Sequence, residues 1–345
     1  MTSSKSMGPL TDSFFPAIFR QNQFKAKAPP IPPSTDLKDQ VAIVTGANIG
    51  LGLECCRQLL GLQLSHLILA VRSTEKGEAA ALELRKKYAK AKIEVWILDL
   101  ESYDSVQAFA RRADKELTRL DMAILNAGMM TFKFGLVKGT GHETMVQVNY
   151  LSNALLSLLL LPALRKGAKE GRPGRLTIIN AALSHVAKPP FLDTTGQKKG
   201  MLSSFDNEKA FTSGEWYNSS KVLMHFFVWK LSELVPADEV VVNLVVLGYI
   251  KSTGLAREVP MVVRPLMKGF EALTAGSLQD GASTYVDAAV VKGKENHGCC
   301  LMSWKVQPYA ALLYSKNGHS MVEKLWQETM DEVGAFGVEK KLLYE

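Results

Sequence analysis

Thr45-Gly46-Ala47-Asn48-Ile49-Gly50-Leu51-Gly52 decides the fold. It follows an apolar, largely β-branched run at 41–44 and opens a helical pattern that continues through Leu60. Gly46 permits a sharp exit from a strand, because it has no Cβ to clash at positive φ. Gly50 lets the backbone approach a ligand closely, and Gly52 lets the helix pack tightly on the sheet. The first N–H groups of that helix have no intrahelical acceptor and carry the positive end of its dipole, which suits a pyrophosphate. A glycine pattern alone is weak evidence. Here a strand before it and a helix after it supply the context for dinucleotide binding, with Asn48, Ile49 and Leu51 in the same turn.

The pattern continues outward from this turn. Residues 66–71, 93–98 and 122–125 read as the next strands, and 176–179 and 240–246 as later strands of the same sheet. Helical stretches at 75–89 and 102–117 alternate with them. Each strand is almost wholly apolar, as in a parallel sheet covered on both faces. The expected fold is α/β, a doubly wound parallel sheet of the Rossmann type, in one domain over residues 37–345. Residues 1–36 read as an N-terminal extension. Phe14, Phe15, Ile18 and Phe19 recur at helical spacing, and Pro29, Pro30, Pro32 and Pro33 then enforce an extended linker.

Composition narrows the class. The 345 residues are 47% hydrophobic and 22% charged, too apolar for a disordered chain and too charged for a multi-span membrane protein. The most apolar run, 155–161, is far shorter than the roughly 20 residues of a membrane span, so a buried or dimer-forming helix is expected. The N-terminus lacks the basic and apolar regions of a secretory signal. Cys55-Cys56 and Cys299-Cys300 are adjacent pairs without Cys-x-x-Cys spacing, so reduced thiols in the cytoplasm are expected. The six histidines show no metal-ligand spacing, and no metal site is expected. A net charge of +7 suits an anionic ligand without choosing one. The basic run Arg85, Lys86, Lys87, Lys90 and Lys92 lacks the interleaved aromatics of a nucleic-acid surface and reads as a solvated helix face.

Two further features carry chemistry. The second strand ends Ala70-Val71-Arg72-Ser73. An acidic residue there would accept hydrogen bonds from a ribose 2′-hydroxyl, whereas Arg72 suits a 2′-phosphate and favours NADP(H). Tyr217 and Lys221 are spaced i, i+4 at the start of a helical stretch, on one face and about 6 Å apart at Cβ. A nearby ammonium favours the phenolate, so the tyrosine pKa is expected to fall toward working pH and make Tyr217 a general acid/base.

Taken together, TGANIGLG at 45–52, Asp99-Leu100, Asn126-Ala127-Gly128, Asn149 in VQVNYLSN and YNSSK at 217–221 resemble the short-chain dehydrogenase/reductase family in order and spacing. The resemblance covers roughly residues 37–290. The leader and the closing GHSMVEKLWQETM look like fungal members that serve secondary-metabolite pathways and are broadly similar to retinol-dehydrogenase-type enzymes. The resemblance implies that Tyr217 exchanges a proton with the substrate oxygen. It implies that Lys221 lowers the tyrosine pKa and bonds the nicotinamide ribose, and that Asn149 holds a water linking Lys221 to solvent. Asp99 would bond the adenine amino group beside the Leu100 N–H, and Asn126 and Gly128 would line the adenosine-side ribose. Ile250, Lys251 and Ser252 would lie at the nicotinamide end. The apolar helices at 150–164 and 217–234 pair between subunits in many relatives, which implies a possible homodimer.

Two positions depart from the family pattern. The fifth strand normally ends in a serine that hydrogen-bonds the substrate carbonyl. Counting from Arg175 puts that place at Ala181, and counting back from His185 puts it at Ala182. Three readings stay open: an alanine introduced into an active reductase to trap a substrate complex; a natural enzyme in which Ser184 or Asn180 substitutes or Tyr217 suffices; or a protein that keeps the fold without ordinary carbonyl reduction. Losing one such donor costs roughly 10²–10³ in rate. Leu247-Gly248 replaces the usual Pro-Gly, which frees φ and restores an N–H beside the nicotinamide amide.

The sequence therefore predicts an NADP(H)-dependent oxidoreductase that moves a hydride between nicotinamide and a carbonyl/alcohol carbon. The resemblance implies a substrate lid at about 252–282, which holds Met261, Val262, Val263, Leu266, Met267 and Phe270, ahead of a C-terminal segment at about 295–345. With Phe191, Phe205, Phe211 and Trp216 they favour a large, apolar substrate. Two other classes fit the scaffold: a non-redox epimerase, dehydratase or cyclase, and a cofactor-binding regulatory protein without chemistry.

Overall fold

The glycine turn leaves β1 (Val41–Thr45), a strand buried at every position, in a computed structural model that describes residues 3–10, 27–168, 172–192, 200–251 and 275–343. α1 (Gly50–Gly61), β2 (His66–Val71), α2 (Thr74–Lys87), β3 (Lys92–Ile97), α3 (Tyr103–Glu116) and β4 (Met122–Leu125) follow. α4 (Thr144–Gly167), β5 (Gly174–Ala181), α5 (Ser213–Leu234), β6 (Val240–Leu247) and α6 (Leu278–Val286) continue the alternation. β7 (Cys299–Met302), β8 (Lys305–Gln307), α7 (Gly318–Val333) and α8 (Val338–Leu343) end the described chain.

The strands form one sheet in the order β3-β2-β1-β4-β5-β6-β7-β8, parallel except for β8, in agreement with the expected doubly wound fold. α3, α4 and α5 pack on one face, and α1, α2 and α6 on the other. The strand order reverses between β1 and β4. In such sheets the ligand crevice opens at that point, outside the carboxyl ends of the strands.

The β7–β8 hairpin was not among the expected elements. Its strands are four and three residues long. Its turn residues, Ser303 and Trp304, adopt φ of 51° and 62° without the glycine or asparagine that usually marks such a turn. The start of the chain is tied to this edge. Ser4 Oγ accepts from the Cys300 N–H (2.8 Å) and donates to the Gln307 carbonyl (2.6 Å), so it stands between two residues paired across the hairpin. Lys5 Nζ reaches the Trp229 carbonyl (2.8 Å) and Glu233 (3.0 Å) near the end of α5. Ser4→Ala would leave a strand N–H and a carbonyl unpaired, at about 1–3 kcal/mol for each buried group. The expected result is a lower urea midpoint, and an unchanged midpoint would show that the segment is not held there. The helix expected around residues 14–19 and the lid stretch 261–270 lie outside the described residues.

Among the described residues, α4 is the one helix long and apolar enough to cross a membrane, and 94% of its apolar window is buried in the fold. Pro162 lies inside it. Arg165 on its last turn bonds Glu239 (2.8 Å) and the carbonyls of Lys341 and Leu342 at the end of α8. α7 lies on α5, where Phe227 stacks on Trp326 with ring centroids 5.7 Å apart. The Tyr150 and Thr329 hydroxyls share a buried hydrogen bond of 2.6 Å. The chain's own C-terminal helices thus pack over α4 and α5.

Candidate active site

Gly46 and Gly50 adopt φ of +65° and +57°, where side chains are strained. A Cβ on Gly52 would stand 2.5 Å from the Gly46 carbonyl oxygen. The residue before α1, Ile49, offers no side-chain oxygen, so the N–H groups of Gly50, Leu51 and Gly52 are uncapped. Beside this turn lies a cleft of about 320 Å³, lined by Gly46, Asn48, Arg72, Asp99, Leu100 and Gly128 among others. A glycine cradle that Cβ atoms would fill, uncapped donors and an adjoining cleft fit a dinucleotide.

Asp99, Leu100 and Gly128 lie on the cleft wall. Asn126 does not. Its Nδ2 donates to the Thr45 carbonyl (2.9 Å) and its Oδ1 accepts from the Tyr285 hydroxyl (3.0 Å), so the amide braces the glycine turn from behind. Tyr285, buried on α6, had no signal in the sequence, since no motif surrounds it. Arg72 lies at the exposed rim, bridged to Glu101 at 2.8 Å. Ser73 and Lys76 line the same rim. The sequence offered one hint of this, a serine directly ahead of a helical stretch; Ser73 caps α2 by accepting from the Lys76 N–H (3.4 Å).

Tyr217 and Lys221 are both buried on α5. The point where a Cβ on Gly128 would stand is 3.0 Å from both Lys221 Nζ and Asn149 Oδ1, so the β4 loop, α4 and α5 converge there. Burial pushes the Tyr217 phenol up to about 12 and brings the Lys221 ammonium down to about 8. This corrects the expectation of a lowered tyrosine pKa. Both groups lose hydration together, and Lys221 Nζ turns to the Ile179 carbonyl at 3.3 Å. Asn149 sits in a π turn, Gln147–Leu151, within α4. Its Oδ1 accepts from the Met129 N–H (2.8 Å), and its Nδ2 donates to the Met129 carbonyl (2.8 Å) and Ser220 Oγ (3.0 Å). The side chain clamps the β4 loop to α5. A water would meet it only at the second lone pair of Oδ1 or at the main chain.

β5 ends at Ala181, and Ala182 opens a 3-10 turn, so no hydroxyl stands at either candidate serine position. Ser184 Oγ donates to the Ala181 carbonyl (2.7 Å) and meets His225 Nε2 (2.8 Å). Asn180 donates to the Lys221 carbonyl (2.9 Å) and accepts from the Ala181 N–H (2.8 Å). Both side chains are hydrogen-bonded within the fold. Folding also gathers His185, His225 and Cys300, whose potential ligand atoms lie within 4.8 Å of one another. The Ala310 N–H donates to His225 Nδ1 at 3.2 Å. A metal on Nε2 would need a proton on Nδ1, so this tautomer opposes a metal centre.

Ile250 pairs with Gly276 just beyond β6, Lys251 is exposed, and Ser252 lies outside the described residues. Phe132, Leu136, Leu183, Val186 and Leu192 are exposed. Phe205 and Trp216 are core residues, packed edge to face at 5.8 Å, which corrects their reading as substrate surface.

The family model for short chain dehydrogenases matches residues 40–192. The short chain dehydrogenase/reductase mfmJ of Annulohypoxylon moriforme is 52% identical, covering 96% of this chain and 95% of that one. The short chain dehydrogenase virL of Hypocrea virens is 40% identical over 90% of each chain. The NADPH-dependent 3-quinuclidinone reductase of Rhodotorula rubra shares the fold at a TM-score of 0.59 and 17% identity, covering 84% of this chain and 99% of its own. Likeness to a relative across nearly the whole chain, on a fold that sets Tyr217 and Lys221 behind a dinucleotide cleft, leaves one conclusion: this chain belongs to the short-chain dehydrogenase/reductase family of oxidoreductases.

Proposed function

We propose that the protein is an NADP(H)-dependent oxidoreductase acting on a carbonyl or alcohol of a large, apolar substrate, in the cytoplasm and within a fungal secondary-metabolite route. The observation that carries this reading is the Tyr217/Lys221 pair, buried on one face of α5 close to a cleft rimmed by Arg72 and Lys76. The fungal relatives support the setting, and the printed description of the quinuclidinone reductase supports NADPH.

Gly46, Asn48 and the uncapped start of α1 would hold the pyrophosphate, and Asp99 and Leu100 the adenine. Arg72, Ser73 and Lys76 would hold the 2′-phosphate. Bound NADP(H) supplies or accepts the hydride. In reduction, Tyr217 Oη gives its proton to the substrate oxygen. The Lys221 ammonium, one turn away, favours the phenolate left behind, and a pKa of about 8 keeps it charged at neutral pH. With alanine at 181 and 182, the substrate oxygen meets Tyr217 without a second hydroxyl from the end of β5. Leu183 and Val186 on the 3-10 turn after β5, with Phe132 on the loop after β4, offer apolar surface near the site.

The test is NADPH consumption with apolar ketones such as phenanthrenequinone, followed together with product mass. A product heavier by two hydrogens is expected. A product of unchanged mass, formed without NADPH loss, would move the protein to the isomerase or dehydratase class. Arg72→Ala is expected to weaken NADPH roughly 100-fold and leave NADH almost unchanged, since two charge-assisted hydrogen bonds of about 1.5 kcal/mol each are lost. Fluorescence titration measures both affinities. Equal binding of the two cofactors by the unaltered protein would overturn the NADP(H) assignment.

A further inference from the structure

Tyr217, Lys221 and His225 recur every four residues along α5, and the third is not used by the chemistry above. His225 is fully buried, and its two ring nitrogens face different partners. The Ala310 N–H can only donate, so Nδ1 holds the ring's lone pair. Burial, with His185 packed edge to face at 5.2 Å, keeps the ring neutral. Nε2 therefore carries the proton and donates it to Ser184 Oγ. The Ser184 proton in turn goes to the Ala181 carbonyl. The chain of hydrogen bonds runs one way, from Ala310 through His225 and Ser184 to the last residue of β5. Across that corner, Asn180 binds both the Ala181 N–H and the Lys221 carbonyl.

Resting on the reading of Tyr217 as acid/base, we propose that His225 and Ser184 are positioning residues that hold the Ala181–Ala182 corner against the Tyr217/Lys221 face of α5. A serine at this corner would orient the substrate oxygen directly. Alanine leaves only the position of the backbone to do so, and a misplacement of about 1 Å costs on the order of 10²-fold in rate. Neither His225 nor Ser184 touches substrate. They act by keeping the Ala181 carbonyl, and with it the turn that follows, in one place.

The experiment has two arms. In the first, ¹⁵N NMR of histidine-labelled full-length protein reads the His225 tautomer without substrate. The neutral Nε2–H form is expected at neutral pH and on acidification below the ordinary imidazole pKa, with its Nε2 signal displaced in Ser184→Ala. A charged ring or an Nδ1–H tautomer would overturn the hydrogen-bond chain. In the second arm, the unaltered protein, Ser184→Ala and Ser184→Thr are compared with NADPH and phenanthrenequinone. Ser184→Ala is expected to lower kcat roughly tenfold with NADPH affinity unchanged by fluorescence, while Ser184→Thr, which keeps the hydroxyl, stays near the original rate. An unchanged kcat in Ser184→Ala, or a Ser184→Thr protein equally slow, would overturn the positioning role. If the unaltered protein never consumes NADPH, the functional reading fails and the positioning role with it, while the NMR arm still reports on the chain separately.

Discussion

Tyr217→Phe is expected to cut turnover by about 10³ or more while leaving NADPH affinity within roughly twofold. Phenylalanine keeps the ring that fills the buried site on α5 and removes only the hydroxyl, so the fold and the cleft are retained. General acid–base catalysis contributes about 10²–10⁴, and a hydrogen-bond donor at a developing oxyanion about 10²–10³. In a site with a serine at the end of β5, those two tasks are shared. Here Ala181 and Ala182 have no hydroxyl, and the Ser184 proton is taken by the Ala181 carbonyl. On the proposed reading both tasks fall on Tyr217. Single-turnover oxidation of NADPH measures the loss, and fluorescence titration checks that the cofactor still binds. Activity within tenfold of the original would remove Tyr217 from the acid/base role.

Lys221→Met is expected to abolish activity and stabilise the protein at the same time. Burial lowers the Lys221 pKa from 10.5 to about 8, so the folded chain carries a charge that its surroundings disfavour. Below pH 8 the lysine is protonated in both folded and unfolded states, and the whole cost, about 3 kcal/mol, is present. Between pH 8 and 10.5 the unfolded chain binds more protons than the folded one, so stability rises with pH across that window. The methionine variant removes the term. Its urea midpoint should exceed the original at pH 7, and the difference should shrink by pH 10. Activity falls because the Tyr217 phenolate loses its only nearby ammonium on the same helix face. Parallel pH dependence in the two proteins would show that Lys221 pays no desolvation cost.

Much of the fold was legible because its signals are local. The run at 41–44, the glycines at 46, 50 and 52 and the helix behind them lie within about twenty residues. Each demands its conformation through sterics and apolar periodicity. The limits of β2 and β4 agree with the strands read at 66–71 and 122–125. The β7–β8 hairpin escaped for an equally local reason. Cys299–Met302 is too short to show a period, and Ser303-Trp304 adopts positive φ without the residues that favour it. That hairpin gains its order from remote groups, including Ser4 near the start of the chain.

At the site, the candidate residues could be named from motifs and a family resemblance: the glycine turn, Asp99, Arg72, Tyr217 and Lys221. Their protonation and their bonding could not. Hydrogen-bond partners and burial are set by segments far apart along the chain, and a spacing rule carries no information about either. Four residues along a helix predict that a lysine lowers a tyrosine pKa, whereas a shared dry environment raises one and lowers the other. A serine near the right place reads as a substitute donor until its proton is seen to be engaged. Sequence thus established which groups are present and on which element, through short-range sterics and periodicity. Folding settled which of them remain available, because desolvation and hydrogen bonding depend on everything packed around a group.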